Sequence, residues 1–509
     1  MRGGGSDFLQ LRPGSAPSKG LTGWLVNALR AAIADGRLAT GAPLPATRTL
    51  AADLAISRGV VVEAYQRLRD EGLVSARTGA GTVVARRATP AGSAAARHPA
   101  SGPPPVSASP RHPGTGHPPV SGPGLHPPAG AMPRLPMSRA ADIEFDLSPG
   151  VPDLSAFPRT AWLRAERAVL DSATGADLGY GDPRGNRRLR QELTGWLART
   201  RGTRAGADDV IVVAGVAQAL ALLAQVLRIR GVMDLAVEDP GSRGARDQVA
   251  HWGLRPVPVP VDDQGLRVDD LTATGTGTAL LTPAHQFPTG VVLSPARRRA
   301  LLDWAAAGGL VIEDDYDAEY RYDRAPVPAL HAAAPDRVAY TGSTSKTLAP
   351  GMRLGWLIAP HHLHADLVAA KHAGDLGNAA LPQLVLAHLL ATGDYERHLR
   401  RVRTRQRDRR DALLAALREH LPHARIEGVA AGLHLLVTLP GLDVDDTDLA
   451  HQIGAAGVLV HPLSWHRLRP GVPGLVLGYA AHPPDRLQDA ARRLARAIIV
   501  SAVRHTVTP

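Results

Sequence analysis

Apolar residues near the amino terminus recur at steps of three and four, which is the spacing of an amphipathic helix. Between residues 21 and 35 this spacing predicts a first helix that ends at Gly36. A turn containing two prolines follows. A second, short helix is then predicted over residues 48–54, with Thr47 as its amino-terminal cap.

A third helix and a hairpin complete this first segment. Ser57 is placed to cap a helix that reaches Gly72. Residues 73–84 then contain two β-prone runs on either side of a glycine-rich turn, which predicts a β-hairpin. Three helices and a hairpin make a winged helix-turn-helix, and the third helix of that fold has the shape to lie in a major groove of DNA.

A different pattern starts after residue 141, where short apolar runs alternate with helical stretches. This alternation predicts an α/β body with a mainly parallel sheet. In such sheets ligands gather where strands end and helices begin, so the residues that follow each run are candidates for chemistry. The six runs span residues 210–213, 235–237, 279–281, 310–312, 337–340 and 355–358.

The two segments are separated by a proline-rich stretch. Residues 87–140 contain 14 prolines and no acidic residue. Their few apolar side chains cannot offset the entropy of ordering the backbone, so we expect an unfolded, semi-stiff tether. A proline-rich ligand for an SH3-like domain is the alternative. The predicted organisation is a DNA-binding module at 18–86, this linker at 87–140 and a body at 141–505.

Charge divides the chain at the same place. Of the +11 formal charges at pH 7, +10 lie in residues 1–140, which suggests that this part meets a polyanion. The 509 residues include no cysteine, which excludes disulfides, cysteine nucleophiles and thiolate metal sites. The amino terminus has no apolar secretory signal, and Gly215 and two glutamines divide the apolar run 210–227. We therefore expect a cytoplasmic protein without a membrane span.

Motifs in the first segment resemble the GntR-type DNA-binding domain in order and spacing. The matching residues are Gly36-Arg37-Leu38, Leu44-Pro45, Arg48, Leu50-Ala51, Ile56-Ser57-Arg58, Ala64-Tyr65, Leu68, Glu71-Gly72 and Gly79-Ala-Gly81-Thr82. The resemblance implies DNA contacts at the starts of the second and third helices and at the tip of the wing. The residues that it assigns to these contacts are Arg48, Ser57, Arg58 and Gly79.

These assignments make chemical sense. Arginine binds phosphates or guanine edges, and a glycine lets the backbone come close to the minor groove. Gly59 and the valine after it stand where the family usually has small polar residues, so some side-chain contacts to DNA are expected to be missing. A small helical domain with ordinary surface arginines is the alternative interpretation.

Polar motifs follow several apolar runs of the body. Gly215 comes after the first run and opens a helix whose free N–H groups suit a phosphate. The segment from His285 to Gly290 comes after the third run, and the acidic residues 313–317 come after the fourth. The fifth is followed by Thr-Gly-Ser-Thr-Ser-Lys346, with Arg353 seven residues further on. Solvated loops often carry one such motif, but this order of motifs is specific.

This set resembles the fold-type I, pyridoxal 5′-phosphate-dependent aminotransferases. It matches most closely their fusion with a GntR-type module, the MocR family of regulators. The resemblance begins near Phe145 and includes Tyr180-Gly-Asp-Pro-Arg-Gly185 and Glu238-Asp-Pro-Gly241. It implies an aminotransferase-like body and pyridoxal 5′-phosphate as the cofactor.

The same resemblance implies a role for individual residues. Lys346 would form the Schiff base with the cofactor, because an amine at a strand end can reach its aldehyde. Asp314 would pair with the pyridinium nitrogen, and Tyr316 would hydrogen-bond the ring hydroxyl. The groups implied to hold the phosphate are the side chains of Ser343, Ser345 and Arg353 and the backbone of Val216 and Ala217.

Three positions depart from the family pattern. Ser242 stands where a tyrosine is common, and Ala217 stands where a glutamine is usual. Val476 occupies the place of the arginine that binds the substrate carboxylate in active aminotransferases, which argues against ordinary transamination of amino acids. The candidate substitutes for that arginine are Arg243, Arg467 and Arg469.

Three charged tracts invite other interpretations. Residues 397–410 include eight arginines, which suit a second nucleic-acid patch, but the apolar spacing around them favours a helix with a charged polar face. A histidine tract at 361–364 lacks carboxylate partners, and the aspartates at 443–448 are too irregular for a calcium loop. We expect no metal site.

Together these features predict a transcriptional regulator. It would bind double-stranded DNA through the winged helix and pyridoxal phosphate through the body, and would sense that cofactor or a small amino compound. The family's head-to-tail homodimer is carried over as an expectation. One alternative is an active aminotransferase acting on an amino acid, and another is a DNA-binding protein with an empty body.

Overall fold

The structure is a computed structural model that describes residues 21–34, 37–39, 41–70, 73–77, 81–84, 143–322, 327–441 and 444–507. These residues fall into two compact units, one within residues 1–123 and the other within 124–509. Some predictions fall outside the described residues. They are the helix ends at Gly36 and Gly72, the wing residue Gly79 and the linker. Within the described part of the chain, no helix is long and apolar enough to cross a membrane.

The amino-terminal unit contains three helices and a two-stranded sheet. They are α1 (Leu21–Ala34), α2 (Thr47–Asp53), α3 (Arg58–Asp70), β1 (Val74–Arg77) and β2 (Gly81–Val84). The two strands are antiparallel, with Val74 opposite Val84. Thr47 is the first residue of α2 and not its cap: Ala46 holds the cap position, without a side-chain hydrogen bond. Ser57 precedes α3, and its Oγ accepts a hydrogen bond from the Val60 N–H at 3.4 Å.

One apolar face of each helix forms the core of this unit. Leu25, Leu29 and Leu68 are fully buried, as the three- and four-residue spacing predicts. Tyr65 is also buried, and its hydroxyl donates to the Pro45 carbonyl at 2.8 Å, which satisfies the polar end of the ring. The opposite face at the start of α3 carries Arg58 and is exposed.

The body is built on an eight-stranded sheet. Counted along the chain from β3, its strands lie in the order β4-β11-β10-β9-β8-β5-β6-β7. Strands β6, β5, β8, β9 and β10 are mutually parallel, and β11 is antiparallel to both of its neighbours. The bounds are β3 (Phe145–Asp146), β4 (Val210–Val213), β5 (Asp234–Asp239), β6 (Arg255–Asp262), β7 (Gly265–Leu266), β8 (Thr278–Leu281), β9 (Leu310–Asp315), β10 (Val338–Ser343) and β11 (Gly355–Ile358).

Helices cover both faces of this sheet. In β4, Val210 and Val212 belong to one apolar cluster, whereas Ile211 and Val213 belong to the cluster on the other face. The helices up to the middle of the body are α4 (Arg159–Ser172), α5 (Gly175–Leu178), α6 (Arg187–Arg201), α7 (Val216–Ile229), α8 (Arg243–His251), α9 (Val268–Ala273), α10 (Pro295–Ala306), α11 (His361–Asp375) and α12 (Ala380–Ala391).

A smaller antiparallel sheet lies in the carboxyl-terminal part of the body, with strand order β12-β13-β16-β15, and β14 pairs with β3. Leu435 and Leu477 of this sheet pack with Leu417 and Leu494 of two long helices. The remaining elements are α13 (Asp394–His420), β12 (Arg425–Glu427), β13 (His434–Thr438), α14 (Asp446–Ala455), β14 (Val458–Leu459), β15 (His461–Pro462), β16 (Gly474–Gly478) and α15 (Pro484–Val507).

Two strands extend further than their apolar runs predict. β9 includes Asp314 and Asp315, and β10 continues to Ser343. The polar residues remain in the sheet because the fold supplies partners: Arg201 donates to Asp315 at 2.6 Å in a fully buried ion pair. Residues expected just after the strands are therefore their last members.

The arginine run of α13 binds other parts of the body and does not simply face solvent. Arg405 and Arg409 form ion pairs with Asp153 at 2.9 and 2.8 Å. Arg403 donates to the Glu319 carbonyl at 2.8 Å, and the Arg410 guanidinium lies over the Tyr322 ring. These contacts favour a structural role for the run over a second nucleic-acid patch.

Candidate cofactor site and DNA-binding surface

Lys346 lies three residues beyond β10, at the edge where the parallel strands end. Its Nζ donates to the Gly150 carbonyl at 2.5 Å. Gly150 has a positive φ of 87°, and a Cβ there would lie 3.1 Å from Nζ, so a larger residue would crowd the amine. Burial lowers the pKa of the Lys346 ammonium, although Asp317 and Asp314 oppose that shift. The site thus holds an amine that loses its proton more readily than an ordinary lysine.

Asp314 provides a buried carboxylate at the end of β9. Burial raises its pKa from the ordinary 3.8 to about 7, with help from Asp315 and Asp317 and against the opposing charge of Lys346. Its Oδ1 is buried and has no hydrogen-bond partner among the described residues. A buried acceptor without a donor is costly, so this oxygen is suited to a donor that a bound molecule brings.

Tyr316 lies beside a hydrogen-bonded pair, His285 and Asp317. The His285 Nδ1 is 2.9 Å from the Asp317 carboxylate and 3.0 Å from the Tyr316 hydroxyl. Burial and the charges of Asp317 and Asp314 raise the pKa of Tyr316 well above 10, so its hydroxyl keeps its proton. With His434, the pair forms the one group of possible metal ligands among the described residues, but His285 and Asp317 already bond each other.

The groups expected to hold a phosphate come from three adjacent strand ends. Ser343 of β10 pairs with Gly355 of β11, which pairs with Val213 of β4. Gly215, with a φ of 87°, follows β4, and the first N–H groups of α7 have no partner inside the helix. Arg353 lies against this turn: a Cβ on Gly215 would be 3.3 Å from its guanidinium.

The Arg353 guanidinium has no hydrogen-bond acceptor among the described residues. Ser343 Oγ accepts from the Ser345 N–H at 3.3 Å, which holds both serines at the same strand end. Val216 and Ala217 are the first two residues of α7. A free guanidinium beside the start of a helix is an arrangement that favours a phosphate group.

Three of the predicted DNA-contact residues lie at the starts of α2 and α3. Arg48 in the first turn of α2 and Ser57 just before α3 are exposed, as is Arg58. The Arg58 Nε lies 3.5 Å from the Thr47 Oγ1, so the guanidinium of α3 reaches the start of α2. The fourth predicted residue, Gly79, lies outside the described part of the unit.

Comparison with known proteins gives a consistent result over both units. The family described as bacterial regulatory proteins of the gntR family matches residues 22–84, and aminotransferase class I and II matches residues 143–494. The chain is 30% identical to the probable rhizopine catabolism regulatory protein MocR of Rhizobium meliloti, over 93% of each chain. The chain belongs to the MocR family. It is also 30% identical to the pyridoxine biosynthesis regulator PdxR of Corynebacterium glutamicum, over 93% of this chain and 95% of that protein.

Solved structures similar to this MocR-family chain cover its body. The kynurenine aminotransferase of Pyrococcus horikoshii, in complex with PMP, matches with a TM-score of 0.65 and 27% identity, over 71% of this chain and 92% of that one. The α-aminoadipate aminotransferase LysN of Thermus thermophilus matches with a TM-score of 0.65 and 26% identity, over 71% and 93%. These likenesses confirm the predicted aminotransferase fold of fold type I with a mainly parallel sheet.

The departures from the MocR-family pattern have clear structural settings. Val476 is fully buried in an apolar cluster with Leu436, Leu463 and Phe287. Ser242 caps α8 by accepting from the Ala245 N–H at 3.3 Å.

The three candidate substitutes for the missing arginine differ in setting. The Arg243 guanidinium pairs with Asp247 at 3.4 Å and lies 5.9 Å from the centre of the Trp465 ring. Arg469 donates to the Pro258 carbonyl at 2.9 Å. Arg467 is half-buried, and its Nε has no partner among the described residues.

Several residues of the site escaped sequence reasoning. Gly150 lies just after Phe145, where the resemblance begins, but only the fold shows that its carbonyl contacts Lys346. His434 comes from the smaller sheet and lies with Phe287 at a ring distance of 4.9 Å, a contact that no local pattern could reveal. His466 also lies with its ring centre 4.9 Å from that of Phe287, and it is buried with both ring nitrogens unpartnered among the described residues.

Proposed function

We propose that this MocR-family chain is a DNA-binding transcriptional regulator whose body binds pyridoxal 5′-phosphate and senses that cofactor or an amino compound. The observation that carries the proposal is the buried, unpartnered Oδ1 of Asp314, within electrostatic reach of the Lys346 amine. A protonated ring nitrogen supplies the donor that this oxygen lacks. The residues present therefore fit the cofactor.

The side chains around the ring have separate tasks. When bound, pyridoxal phosphate supplies an aldehyde that captures primary amines and a ring that withdraws electrons. Burial lowers the pKa of Lys346, so its Nζ loses a proton more readily and is suited to a covalent link. Asp314 holds a proton on the ring nitrogen, and Tyr316 donates a hydrogen bond to the ring hydroxyl because its own hydroxyl stays protonated.

The phosphate is assigned to the turn after β4. Arg353 gives charge-assisted hydrogen bonds, and the N–H groups of Val216 and Ala217 lie at the amino-terminal end of α7, where the helix dipole is positive. Ser343 and Ser345 add hydroxyl donors from the strand end. The support for this assignment is the unpartnered Arg353 guanidinium beside Gly215.

For DNA, we propose contacts from Arg48, Ser57, Arg58 and Gly79, supported by the exposure of the first three and by the match of residues 22–84 to the gntR family. A compound that binds the body and changes the affinity for DNA would act by linkage. A homodimer would let two such modules read paired half-sites. The likeness to MocR and PdxR supports this regulatory role.

The Lys346→Ala variant tests the cofactor proposal. The wild-type chain, purified with added pyridoxal phosphate, should show a visible absorption band that Lys346→Ala lacks, because the covalent link needs the Nζ. Lys19→Ala is the matched control, because it removes one of the three lysines of the chain and has no assigned part in cofactor binding. A band that survives in Lys346→Ala would contradict the assignment.

An active aminotransferase is the second candidate function, because the similar solved structures include aminotransferases. The closed cluster at Val476 argues against it, since a substrate carboxylate needs a cation that this cluster does not offer. Steady conversion of an amino acid and a 2-oxo acid by the cofactor-loaded chain would favour the enzyme. Its absence, with the absorption band present, would favour the regulator.

A further inference from the structure

The turn after β4, to which the phosphate is assigned (the phosphate turn, residues 214–217), is hydrogen-bonded to a network of three polar side chains. Gln218, in the first turn of α7, accepts through Oε1 from the Ala214 N–H at 2.7 Å. Its Nε2 donates to Asp375 at 2.7 Å. Lys371 donates to the two oxygens of Asp375 at 3.0 and 2.8 Å, and its Nζ is 3.4 Å from the Gln218 Oε1.

This network fixes the orientation of the Gln218 amide. An ionised carboxylate only accepts hydrogen bonds, and an ammonium only donates them. The Nε2 of Gln218 must therefore face Asp375, and its Oε1 must face Lys371. The Oε1 is then always directed at the Ala214 N–H, one residue before Gly215. The backbone that leads into the turn cannot rotate without breaking this bond.

Stability alone is a poor explanation for Lys371. Its side chain is fully buried, and burial lowers the pKa of the ammonium while Asp375 opposes that shift. A buried ion pair often adds little net stability compared with apolar side chains of similar size. It does impose one arrangement on its neighbours. Asp375 also accepts from the Gly377 N–H at 2.9 Å, so the same network fixes the end of α11.

We propose that Lys371, acting through Asp375 and Gln218, is a positioning residue that holds the turn from Ala214 to Ala217 in the shape that binds the phosphate group of the cofactor. This inference rests on the proposed cofactor function. None of the assigned phosphate ligands comes from α11. This helix would nevertheless control the part of the cofactor affinity that the phosphate contributes.

A pair of ligands that differ only in the phosphate tests the proposal. Binding of pyridoxamine 5′-phosphate and of pyridoxamine is measured by calorimetry in the Lys346→Ala background, so that no covalent link contributes. Lys371→Met and Gln218→Ala should each weaken the binding of pyridoxamine phosphate on the order of tenfold, which corresponds to about 1.4 kcal/mol of binding free energy. The affinity for pyridoxamine should stay within about twofold, because that ligand makes no use of the turn.

Asp366→Asn is the matched control. Asp366 of α11 pairs at 2.7 Å with Arg230, the residue that follows α7, so this ion pair lies at the end of α7 away from the turn. This variant should leave the ratio of the two affinities unchanged. If Lys371→Met does not fold, Gln218→Ala decides alone, since it keeps the ion pair between Lys371 and Asp375.

Two results would overturn the inference. In one, both ligands weaken equally, which would indicate a general structural role for the network. In the other, neither affinity changes. Failure of the cofactor proposal looks different: the parent Lys346→Ala chain would then bind pyridoxamine phosphate no better than pyridoxamine.

Discussion

Burial of the Asp314 carboxylate should make the stability of the cofactor-free chain depend on pH. In the cofactor-free chain its pKa is raised to about 7, so the folded state binds a proton more tightly than the unfolded state. Its contribution to the free energy of unfolding therefore becomes less favourable as pH rises from about 4 to 7. Asp314→Asn should remove this loss of stability. At pH 8 the free energy of unfolding of the variant should exceed that of the wild type by a few kcal/mol at most.

The measurement is the denaturant midpoint of both chains between pH 5 and pH 8, first without and then with pyridoxal phosphate. With the cofactor bound, Asp314→Asn should be the less stable chain, because the ring nitrogen loses its carboxylate partner. Glu238 and Glu313 also have pKa values raised to about 7 by burial, so part of the pH dependence remains in the variant. Parallel curves for the two chains would contradict the role of Asp314.

Arg58 should contribute to DNA affinity through a phosphate or a guanine edge. Arg58→Ala is expected to weaken binding to the promoter region of the chain's own gene. If the contact is to a phosphate, it should also lower the salt dependence by roughly one unit of slope. Arg67→Ala is the matched control, because it removes the same charge from the same helix, where Arg67 pairs with Glu63 at 3.3 Å. Equal effects of the two variants in a salt series of binding isotherms would contradict the assignment.

At the scale of elements, α13 holds the segment that presents Gly150 to Lys346. Asp153 is buried and accepts from Arg405 and Arg409 of α13. Asp153→Ala should destabilise the body by about 3–5 kcal/mol, because it leaves the buried Arg409 without that carboxylate. It should also weaken the Lys346-dependent absorption band.

The unfolding transition of the body, followed in denaturant, checks this expectation. Asp489→Ala serves as the comparison, because Asp489 pairs with Arg492 in an exposed ion pair on α15, which is worth at most about 1 kcal/mol. A similar small loss in both variants would show that the arginines of α13 do not support the segment.

Sequence patterns predicted the elements whose apolar faces repeat and missed those that depend on distant partners. The helices of the first unit and the six main strands follow periodicity, so they were accessible from local sequence. The polar ends of β9 and β10 could not be predicted from local sequence. In β9, the partner that stabilises Asp315 is Arg201, which lies 114 residues away in the chain. The arginines of α13 were expected on a solvated face for the same reason: their carboxylate and carbonyl partners lie on other elements.

The site shows the same division. Lys346, Asp314 and Arg353 could be singled out because they belong to ordered motifs that resemble a known family. The network of Gln218, Lys371 and Asp375 could not, since Gln218 and Asp375 are 157 residues apart and neither lies in a motif with known chemistry. Contacts of this kind become visible only once the strands have an order.

For the whole molecule, the regulatory proposal makes a reciprocal prediction. If pyridoxal phosphate changes the affinity for DNA by some factor, operator DNA must change the affinity for pyridoxal phosphate by the same factor. A coupling of 1–3 kcal/mol, or roughly 5–150-fold, is typical of such systems. Both affinities should be measured by titration with the intact chain, with Lys346→Ala as a control that lacks the coupling. Affinities that are independent of each other would contradict sensing.

The position of β11 between β4 and β10 has a consequence for biosynthesis. Among the described residues, the strand before the phosphate turn pairs with one strand, which begins at Gly355. Lys346 contacts a carbonyl 196 residues earlier in the chain. During synthesis on the ribosome, the strand that pairs with β4 is therefore made only after most of the body, so the turn after β4 cannot form its native contacts before then. Contacts between such distant residues also slow folding. Newly made chains should acquire the ability to capture the cofactor late in translation, well after the winged-helix unit can fold.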